Sequence, residues 1–366
     1  MNEFGALPRQ ALAGLIEAGR IKGIDTALAQ PASLDLPVSE EWYRVNSIFL
    51  PRTGEPVRDC LARLDAQEHS VGTILERGVN YLSRVAGEFA FVPSVYGYTN
   101  PKSTTGRTDV HVRVVADGVP SYDSAAPAGW KGELWLLVTP KSFPVLVPVG
   151  TALAQLRLCN HNTKLARTEL ELEVERRKLL WTLAGETIHC EDQLVRVDEG
   201  SLVLTVNLSG ETIGWECLEP STTFDFGAPK GTIDPSEFFV PLIGHNGSLR
   251  LREGRFYILS TREAVRVPPE LACEMRPLDP RWGELRTHYA GFIDPGWGWG
   301  KKGEGKGRPI TLEVRPFENM TLTHGQPIGR IRFERMMDVP DVLYDAGTSH
   351  YSVQSGPRLA KQFKHP

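Results

Sequence analysis

The sequence predicts a mainly β protein made of two tandem domains with a few short helices. Glycine and proline are frequent, with 35 and 27 residues in a chain of 366. They recur every few residues, as expected where many short strands are joined by turns. Stretches of alternating apolar and polar residues lie between them, and motifs of the first half recur in the same order in the second half. A hydrophobic content of 41% is enough for two cores at this length.

Alternation with a period of two residues marks the predicted strands. The clearest stretches are SLDLPV, VHVRVVA, ELWLLV, SLVLTVNL, ITLEVRP and GRIRFERM. Two segments have apolar residues at helical spacing: LPRQALAGLIEAGRI at 7–21 and TELELEVERRKLLWTL at 168–183. We interpret both as ordinary packing helices.

The two halves share four landmarks, of which the first is a helical segment that precedes the echoed stretches at 30–39 and 198–210. QPASLDLPVS at 30–39 is echoed by DEGSLVLTVNLSG at 198–210, and VPVGTALAQLRL at 147–158 by LTHGQPIGRIRF at 322–333. Between them, each half has a Gly-Trp turn that leads into a strand. The polar stretch from Asn160 to Thr168 is the predicted boundary. We therefore predict domains at 1–160 and 161–340, followed by a C-terminal tail at 341–366.

Composition excludes several classes of function. The net charge is −4 with interspersed signs and no basic arm, so we expect no nucleic-acid partner. The five cysteines are odd in number, and no CxxC occurs, which favours a reduced, cytoplasmic protein. MNEFGALPRQ lacks the features of a signal peptide. The longest apolar run is interrupted by Lys141, Pro144 and Pro148, so we expect no membrane partner.

Common catalytic motifs are missing from the sequence. It contains no HxH or HExxH pair, no zinc deaminase signature and no GxSxG, and no dinucleotide-binding GxGxxG lies between a strand and a helix. We therefore predict no metal site. The glycine-rich, basic segment GWGWGKKGEGKG at 296–307 has two interpretations: a β-hairpin tip, or a loop that closes over a charged ligand.

The segment NPKSTTGR at 100–107 is a candidate anion-binding loop. Arg107 could make a bidentate contact with phosphate oxygens, and Lys102 could add a point charge. Ser103 and Thr104 supply short hydroxyl donors. Because surface loops of this composition are common, the segment alone is a weak signal.

Two carboxylates of the second half are candidates for chemistry. Asp294 precedes Pro295-Gly296, and this sequence is typical of a turn. An Asp at such a turn most often accepts hydrogen bonds from nearby backbone N–H groups. Glu313 lies inside the strand-like ITLEV. Facing inward beside an arginine, it would be a candidate general base.

Together these motifs resemble the dCTP deaminases of the dUTPase-like superfamily. QPASLDLPV resembles the N-terminal PASxDLRLG strand of that family, and NPKSTTGR resembles its GRSSxGR phosphate motif. HYAGFIDPGWGWG with TLEV resembles the motif xAxxIDPGWxGxxxLE, and HGQPIGRIRFERM resembles the closing strand. The length is similar to that of bacterial forms with two fused repeats.

The resemblance implies two tandem, distorted antiparallel β-barrels in a homo-oligomer, with a trimer-based assembly and active sites between neighbouring domains. It implies hydrolytic deamination of dCTP to dUTP and ammonia, which supplies dUTP for dTTP synthesis. It implies no catalytic metal. Mg²⁺ would arrive only with the nucleotide triphosphate.

The resemblance also implies roles for individual residues. Glu313 matches the glutamate that activates water for attack at C4 of cytosine. Ser103 and Arg107 match residues that bind phosphate and orient the water and the glutamate. Lys102 stands where the family usually has Arg. Asp294 matches a residue that contacts the deoxyribose.

Further substrate contacts are implied around these residues. Ala290 matches a backbone position beside the base, and Trp297 lies near the position of a tyrosine in related dUTPases. The tail YDAGTSHYSVQSGP resembles a C-terminal lid over the nucleotide, with Tyr344 and Gln354 as its best candidates. His350 stands where the family often has Lys, which makes that phosphate contact doubtful.

The two halves divide the motifs between them. The first half has the phosphate motif, but Leu137 matches Glu313 and cannot take a proton. The second half has Glu313, but its counterpart of the phosphate motif is MRPLDPR at 275–281. There Pro277 replaces the serine and Asp279 adds a negative charge, so phosphate should bind poorly. We therefore predict a composite site, formed within a chain or across chains.

Other functions remain open from the sequence. dUTP hydrolysis, alone or after deamination, is the nearest, because YAGFIDPGW is also close to the dUTPase hairpin. A non-catalytic, regulatory dNTP-binding protein on the same fold is the second. Since folds do not decide function, the site has to discriminate among them.

The composite site predicts the behaviour of two single variants. Ser103→Ala and Glu313→Gln should each abolish turnover of dCTP, because each removes half of one shared site. Ammonia release by each purified variant, and by a mixture of the two, measures this. Substantial activity in either single variant would show that each half carries a complete site.

Overall fold

The computed structural model describes residues 4–70, 72–192, 200–244, 246–287, 291–346 and 356–364. In these residues the chain is mainly β, with short helices at its edges. The α-helices are α1 (Arg9–Glu17), α2 (Val57–Cys60), α3 (Ser103–Arg107) and α4 (Arg167–Arg177).

The first half contributes one large sheet and two small ones. The large sheet has the strand order β10-β8-β14-β3-β6-β12-β9. The strands of this half are β1 (Gly5–Ala6), β2 (Ile21–Lys22), β3 (Leu34–Val45), β4 (Gln67–Glu68), β5 (Ile74–Leu75), β6 (Asn80–Val85), β7 (Glu88–Ala90), β8 (Val95–Pro101), β9 (Val110–Ala116), β10 (Ser124–Ala125), β11 (Lys131–Gly132), β12 (Leu134–Pro140), β13 (Val145–Leu146) and β14 (Ala152–Asn160).

The second half divides its strands among sheets of six, four and two strands, except for one strand that joins a small sheet of the first half. These strands are β15 (Leu180–Thr182), β16 (Leu202–Thr205), β17 (Thr212–Cys217), β18 (Phe224–Asp225), β19 (Phe239–Ile243), β20 (Ser248–Leu251), β21 (Tyr257–Val265), β22 (Leu271–Arg276), β23 (Leu285–Thr287), β24 (Phe292–Ile293), β25 (Arg308–Pro316), β26 (Met320–Thr323) and β27 (Pro327–Arg335).

Strand pairing repeats between the halves. The landmark strands β3 and β14 pair antiparallel in the first half, and their echoes β16 and β27 do the same in the second. The order β6-β12-β9 of the first half corresponds to β21-β25-β23 of the second. The repeated sequence motifs therefore correspond to repeated topology.

Both predicted helices are present, although they end earlier than the apolar pattern suggests. α1 stops before Gly19, which has a φ of 67°, and α4 stops at Lys178, which is also left-handed. The predicted boundary at 160–168 falls between the end of β14 and α4. No helix in the described part of the chain is both long and apolar enough to cross a membrane.

A buried arginine joins the two halves. The side chain of Arg157, on β14, has no exposed surface, and its Nη1 donates to the Cys273 carbonyl oxygen at 3.1 Å and to Glu334 at 2.9 Å. Its guanidinium lies 4.1 Å from the ring centre of Phe292. Burial alone would lower the pKa of Arg157, but Tyr98, Glu334 and Asp294 raise it above its ordinary value. The arginine therefore stays charged at the interface.

The end of the chain returns to the core of the first half. Leu359, Ala360 and Phe363 are buried in the same apolar cluster as β3, β9 and β14. The Phe363 ring lies 5.2 Å from that of Phe224 and 5.4 Å from that of Phe238. β18, which carries Phe224, pairs parallel with β13. This part of the predicted tail is thus packed against both halves, and its role as a lid stays a prediction.

Replacing Phe363 tests this packing. Phe363→Ala should lower the free energy of unfolding by about 3–5 kcal/mol, because a fully buried aromatic ring is lost and a cavity remains. Urea denaturation measures the change. Phe317→Ala is the control, since Phe317 is 58% exposed. Equal stability of the two variants would contradict the packing of the C-terminal segment.

Candidate active site

The predicted phosphate motif forms α3 and is fixed on β14. The Lys102 N–H and the Thr105 hydroxyl both donate to the Leu153 carbonyl oxygen at 2.9 Å. The Thr108 hydroxyl donates to the Thr104 carbonyl oxygen at 3.0 Å and closes the end of the helix. Ser103 and Thr104 remain partly exposed on its first turn. The loop is therefore rigidly placed, with its hydroxyls accessible.

Arg107 reaches the second half through the C-terminal segment. It is only 3% exposed, and its Nη1 donates to the Arg358 carbonyl oxygen at 3.0 Å. The Arg358 N–H in turn donates to the Thr311 hydroxyl at 3.3 Å. Because Thr311 lies on β25, a short path of contacts connects the phosphate motif to the strand that carries Glu313.

Glu313 lies on the face of β25 that is turned toward the first half. Side chains alternate along a strand, so Thr311, Glu313 and Arg315 share one face. Pairing with β21 is regular here, and Glu313 lies opposite Ile258. Arg315 contacts Asp109 and donates to the Ser142 hydroxyl at 3.2 Å. Glu313 is 2% exposed, and it is flanked on both sides by residues bound to the interface.

Asp294 lies in a buried electrostatic cluster. It is 9% exposed, and its Oδ1 is 3.5 Å from Nη2 of Arg157. Burial raises the pKa of Asp294 above its ordinary value, and the charge of Asp35 adds to this, whereas Arg157 and Lys102 oppose it. The IDPG turn of the second half therefore lies beside residues of the first.

Lys102 has an intramolecular partner in this cluster. Its ammonium group pairs with the carboxylate of Asp35, which lies on β3 shortly after the PAS segment at 31–33. Close by, a side chain on Gly291 would place its Cβ 2.7 Å from Oδ1 of Asn100. A larger residue at position 291 would require the Asn100 side chain to move, so glycine suits this close approach of the two halves. The contact of Lys102 with phosphate stays a prediction.

Trp297 and Tyr344 pack together at the edge of the second core. Their ring centres are 5.2 Å apart, and the Tyr344 N–H donates to the Pro295 carbonyl oxygen at 2.9 Å. Trp297 is buried among the leucines and isoleucines of that core. The substrate contacts predicted for both rings stay predictions. Ala290, His350 and Gln354 lie outside the described residues.

The glycine-rich segment at 296–307 is a turn closed by its own backbone, but it is not the tip of a β-hairpin, because it links β24, which pairs with β22, to β25, which pairs with β21 and β23. The interpretation as a loop that closes over a charged ligand stays a prediction. The Gly305 N–H donates to the Trp299 carbonyl oxygen at 2.7 Å, and the Gly307 N–H donates to that of Gly298 at 3.0 Å. The carboxylate of Glu304 accepts a further bond from the Lys302 N–H at 2.7 Å. Its backbone is therefore held without a ligand.

In the first half, the surface that corresponds to the Glu313 face of β25 is apolar. We call it the apolar plug and define it as the buried cluster around Leu137. Leu137 is 3% exposed and packs with Trp135 of the same strand. The segment containing α2 covers them with Val57, Cys60 and Leu64. This surface has no carboxylate at the position of Glu313.

In the second half, two charged residues of the segment that corresponds to the phosphate motif pair with each other. The Asp279 carboxylate accepts the Arg281 N–H at 2.9 Å and pairs with the Arg281 guanidinium at 2.7 Å. The hydrogen bond from the Arg281 guanidinium, followed by that from the Arg281 N–H, lowers the pKa of Asp279 below its usual range. An anion would have to compete with that carboxylate, which agrees with the weak phosphate binding expected there.

Sequence reasoning missed several residues at this interface. Thr311 and Arg315 are two residues to either side of Glu313, and Asp109 is two residues after Arg107. The period of two in ITLEV could have identified Thr311 and Arg315. Arg157 had a weaker signal, a single charge inside the apolar stretch ALAQLRL.

No metal site is evident in the described ranges. Within them, no group of three or more His, Cys, Asp or Glu side chains is arranged to hold a metal ion. The absence of a catalytic metal stays a prediction, since it depends on the reaction and not on this count.

Comparisons with known proteins identify the family. The model of the 2'-deoxycytidine 5'-triphosphate deaminase N-terminal domain matches residues 3–162, and that of the C-terminal domain matches residues 177–363. The chain belongs to the dCTP deaminase family. It is similar to the crystal structure of 2'-deoxycytidine 5'-triphosphate deaminase from Agrobacterium tumefaciens, with 35% identity, a TM-score of 0.84, and coverage of 94% of this chain and 99% of that one. A search of curated proteins finds no match.

Membership of the dCTP deaminase family confirms the resemblance and the predicted fold class of two tandem β domains. The individual site residues and the domain boundaries are not tested by these comparisons. They stay predictions, supported by the contacts described above.

His111 provides a pH test of the interface. It lies on β9, and its pKa is lowered to about 2 by burial and by Arg286, Lys141, Arg315 and Arg113. Because the unfolded pKa is about 6.5, stability from this group is complete above pH 6.5 and falls below it, by up to about 1.4 kcal/mol per pH unit. His111→Gln should therefore lose less stability than the wild type between pH 6.5 and 4.5, by about 2–3 kcal/mol.

Urea denaturation at the two pH values measures this difference. The control is His189→Gln, because His189 is exposed and its pKa is raised by Glu175, which reverses the sign. A wild type and a His111→Gln variant with the same pH dependence would show that His111 is not held neutral.

Proposed function

We propose that this chain catalyses the hydrolytic deamination of dCTP to dUTP and ammonia, with Glu313 as the general base. The observation that carries the proposal is the placement of Glu313 on β25. Its neighbours Thr311 and Arg315 connect it, directly or through Arg358, to the segment Arg107–Asp109 of the phosphate motif. These contacts support a composite site formed within one chain.

In the proposed reaction, Glu313 takes a proton from water as the oxygen attacks C4 of cytosine. The proton passes to N3, and a proton is returned to the amino group as the C4–N bond breaks. Ammonia leaves, and the C4 oxygen becomes the carbonyl of uracil. A positioned base of this kind contributes about 10²- to 10⁴-fold to the rate.

The remaining acceleration would come from orientation and preset polar groups. We assign the triphosphate to Ser103, Thr104 and Arg107, which fix the base through binding energy far from C4. Asp294 would contact the deoxyribose from the other half. Since the Lys102 ammonium pairs with Asp35, phosphate would have to compete with that carboxylate.

The proposal also covers the metal ion, the cellular compartment and the oligomeric state. Mg²⁺ would come bound to the nucleotide triphosphate, and the protein would supply no catalytic metal. All five cysteines are free thiols, which fits a reduced cytoplasm. The trimer-based homo-oligomer implied by the resemblance remains part of the proposal.

The products formed from dCTP test this function. The wild type should release ammonia, without pyrophosphate, in the presence of a zinc chelator with Mg²⁺ retained. Glu313→Gln should lower the rate by about 10²-fold or more, because the amide cannot accept the proton. Glu318→Gln, which changes an exposed glutamate nearby, should retain the wild-type rate. A coupled ammonia assay and a separate pyrophosphate assay measure both products.

Other outcomes discriminate the alternatives. Pyrophosphate formed from dUTP without any ammonia from dCTP would indicate a dUTP diphosphatase. Both products would indicate a bifunctional enzyme. Tight dNTP binding with neither product would indicate a regulatory protein and would refute the catalytic role of Glu313.

A further inference from the structure

Asp109 is a buried acid in an unusual backbone conformation. It has no exposed surface, and its φ is 53°, a region that few residues other than glycine adopt. Its carboxylate accepts the Ser142 hydroxyl at 2.5 Å and pairs with Arg315. Its backbone N–H donates to the Gly106 carbonyl oxygen, and its carbonyl oxygen accepts the Lys141 N–H, both at 3.0 Å. The position of this carboxylate is therefore strongly determined.

Arg315 brings the second half to this carboxylate. Its guanidinium contacts Asp109 and the Ser142 hydroxyl, and it also donates to the Gly254 carbonyl oxygen. Arg315 lies directly opposite Arg286 on the neighbouring strand. Like charges that face each other across a sheet are unfavourable. The buried carboxylate of Asp109 offsets this repulsion and holds Arg315 in place.

The ion pair between Asp109 and Arg315 joins two segments that carry proposed site residues. Asp109 is two residues after Arg107, and Arg315 is two residues after Glu313, about 6.6 Å along the strand. A second bridge, from Arg107 through Arg358 to Thr311, lies on the other side of Glu313. The two bridges therefore bracket Glu313 between fixed points of the first half.

We infer that Asp109 and Arg315 are positioning residues, whose buried ion pair holds Glu313 in register with Arg107. This inference rests on the proposed function. β9 and β25 belong to different sheets, so no ladder of backbone hydrogen bonds sets their relative position. A buried ion pair is directional and costly to break. Misplacing a catalytic group by about 1 Å can reduce the rate about 100-fold.

Conservative variants of the pair test the inference. Asp109→Asn removes the charge, and asparagine tolerates a positive φ. It should lower kcat for dCTP by about 10- to 100-fold, because the base loses its register. KM should change by less than about threefold, because the phosphate contacts remain. Arg315→Gln should behave in the same way, and the double variant should lose little more than either single one, because the two residues act as a unit.

The matched control is Asp123→Asn. Asp123 also has a positive φ, of 58°, and also pairs with an arginine, Arg113, at 2.5 Å. That pair lies entirely within the first half. Asp123→Asn should lower the melting temperature and leave kcat within about twofold of the wild type, because it does not contact β25. An equal loss of kcat in both variants would indicate a general effect of stability and would overturn the positioning role.

A milder variant keeps the test decisive when Asp109→Asn does not fold. Ser142→Ala removes one hydrogen bond from the Asp109 carboxylate and should give a smaller loss of kcat, with KM again unchanged. Folded Asp109→Asn or Ser142→Ala protein with wild-type kcat would refute the positioning role and leave the proposed function intact. A wild type that releases no ammonia would instead refute the function, and this role with it.

Discussion

The arrangement of the whole chain depends on the burial of one positive charge. Arg157 extends from β14 into the second half, where the Cys273 carbonyl oxygen, Glu334 and Asp294 surround it. A buried arginine is tolerated only where its donors are satisfied in a fixed geometry. The packing of the halves that satisfies Arg157 also connects the phosphate motif, through Arg107 and Arg358, to the strand that carries Glu313.

The halves share several strand pairings but differ in the surfaces that correspond to each other. In the first half, the face that would carry a base is filled by the apolar plug around Leu137. In the second half, the anion loop is neutralised by the pair between Asp279 and Arg281. The composite site proposed above would combine the phosphate motif of the first half with Glu313 of the second, and it accounts for both differences.

Features that depend on residues close together in the sequence could be predicted, whereas contacts between distant residues could not. The strands and the two longer helices were predictable because their periodicity is local, and Glu313 was found from a motif. The contacts of Asp109 and Arg157 with the second half were not, because they join residues more than 100 positions apart. The packing of the C-terminal segment against the core was also not predicted, since its polar residues obscure the few apolar ones, such as Phe363, that enter the core.

The return of the C-terminal segment has a consequence for biosynthesis. A ribosome releases the first half long before it adds Phe363, yet that ring completes the first core. Domains usually fold in order as they emerge. Here the core of the first half lacks part of its apolar packing until Phe363 has been added and has left the ribosome. Nascent chains of this protein would therefore need protection from aggregation until that residue is available.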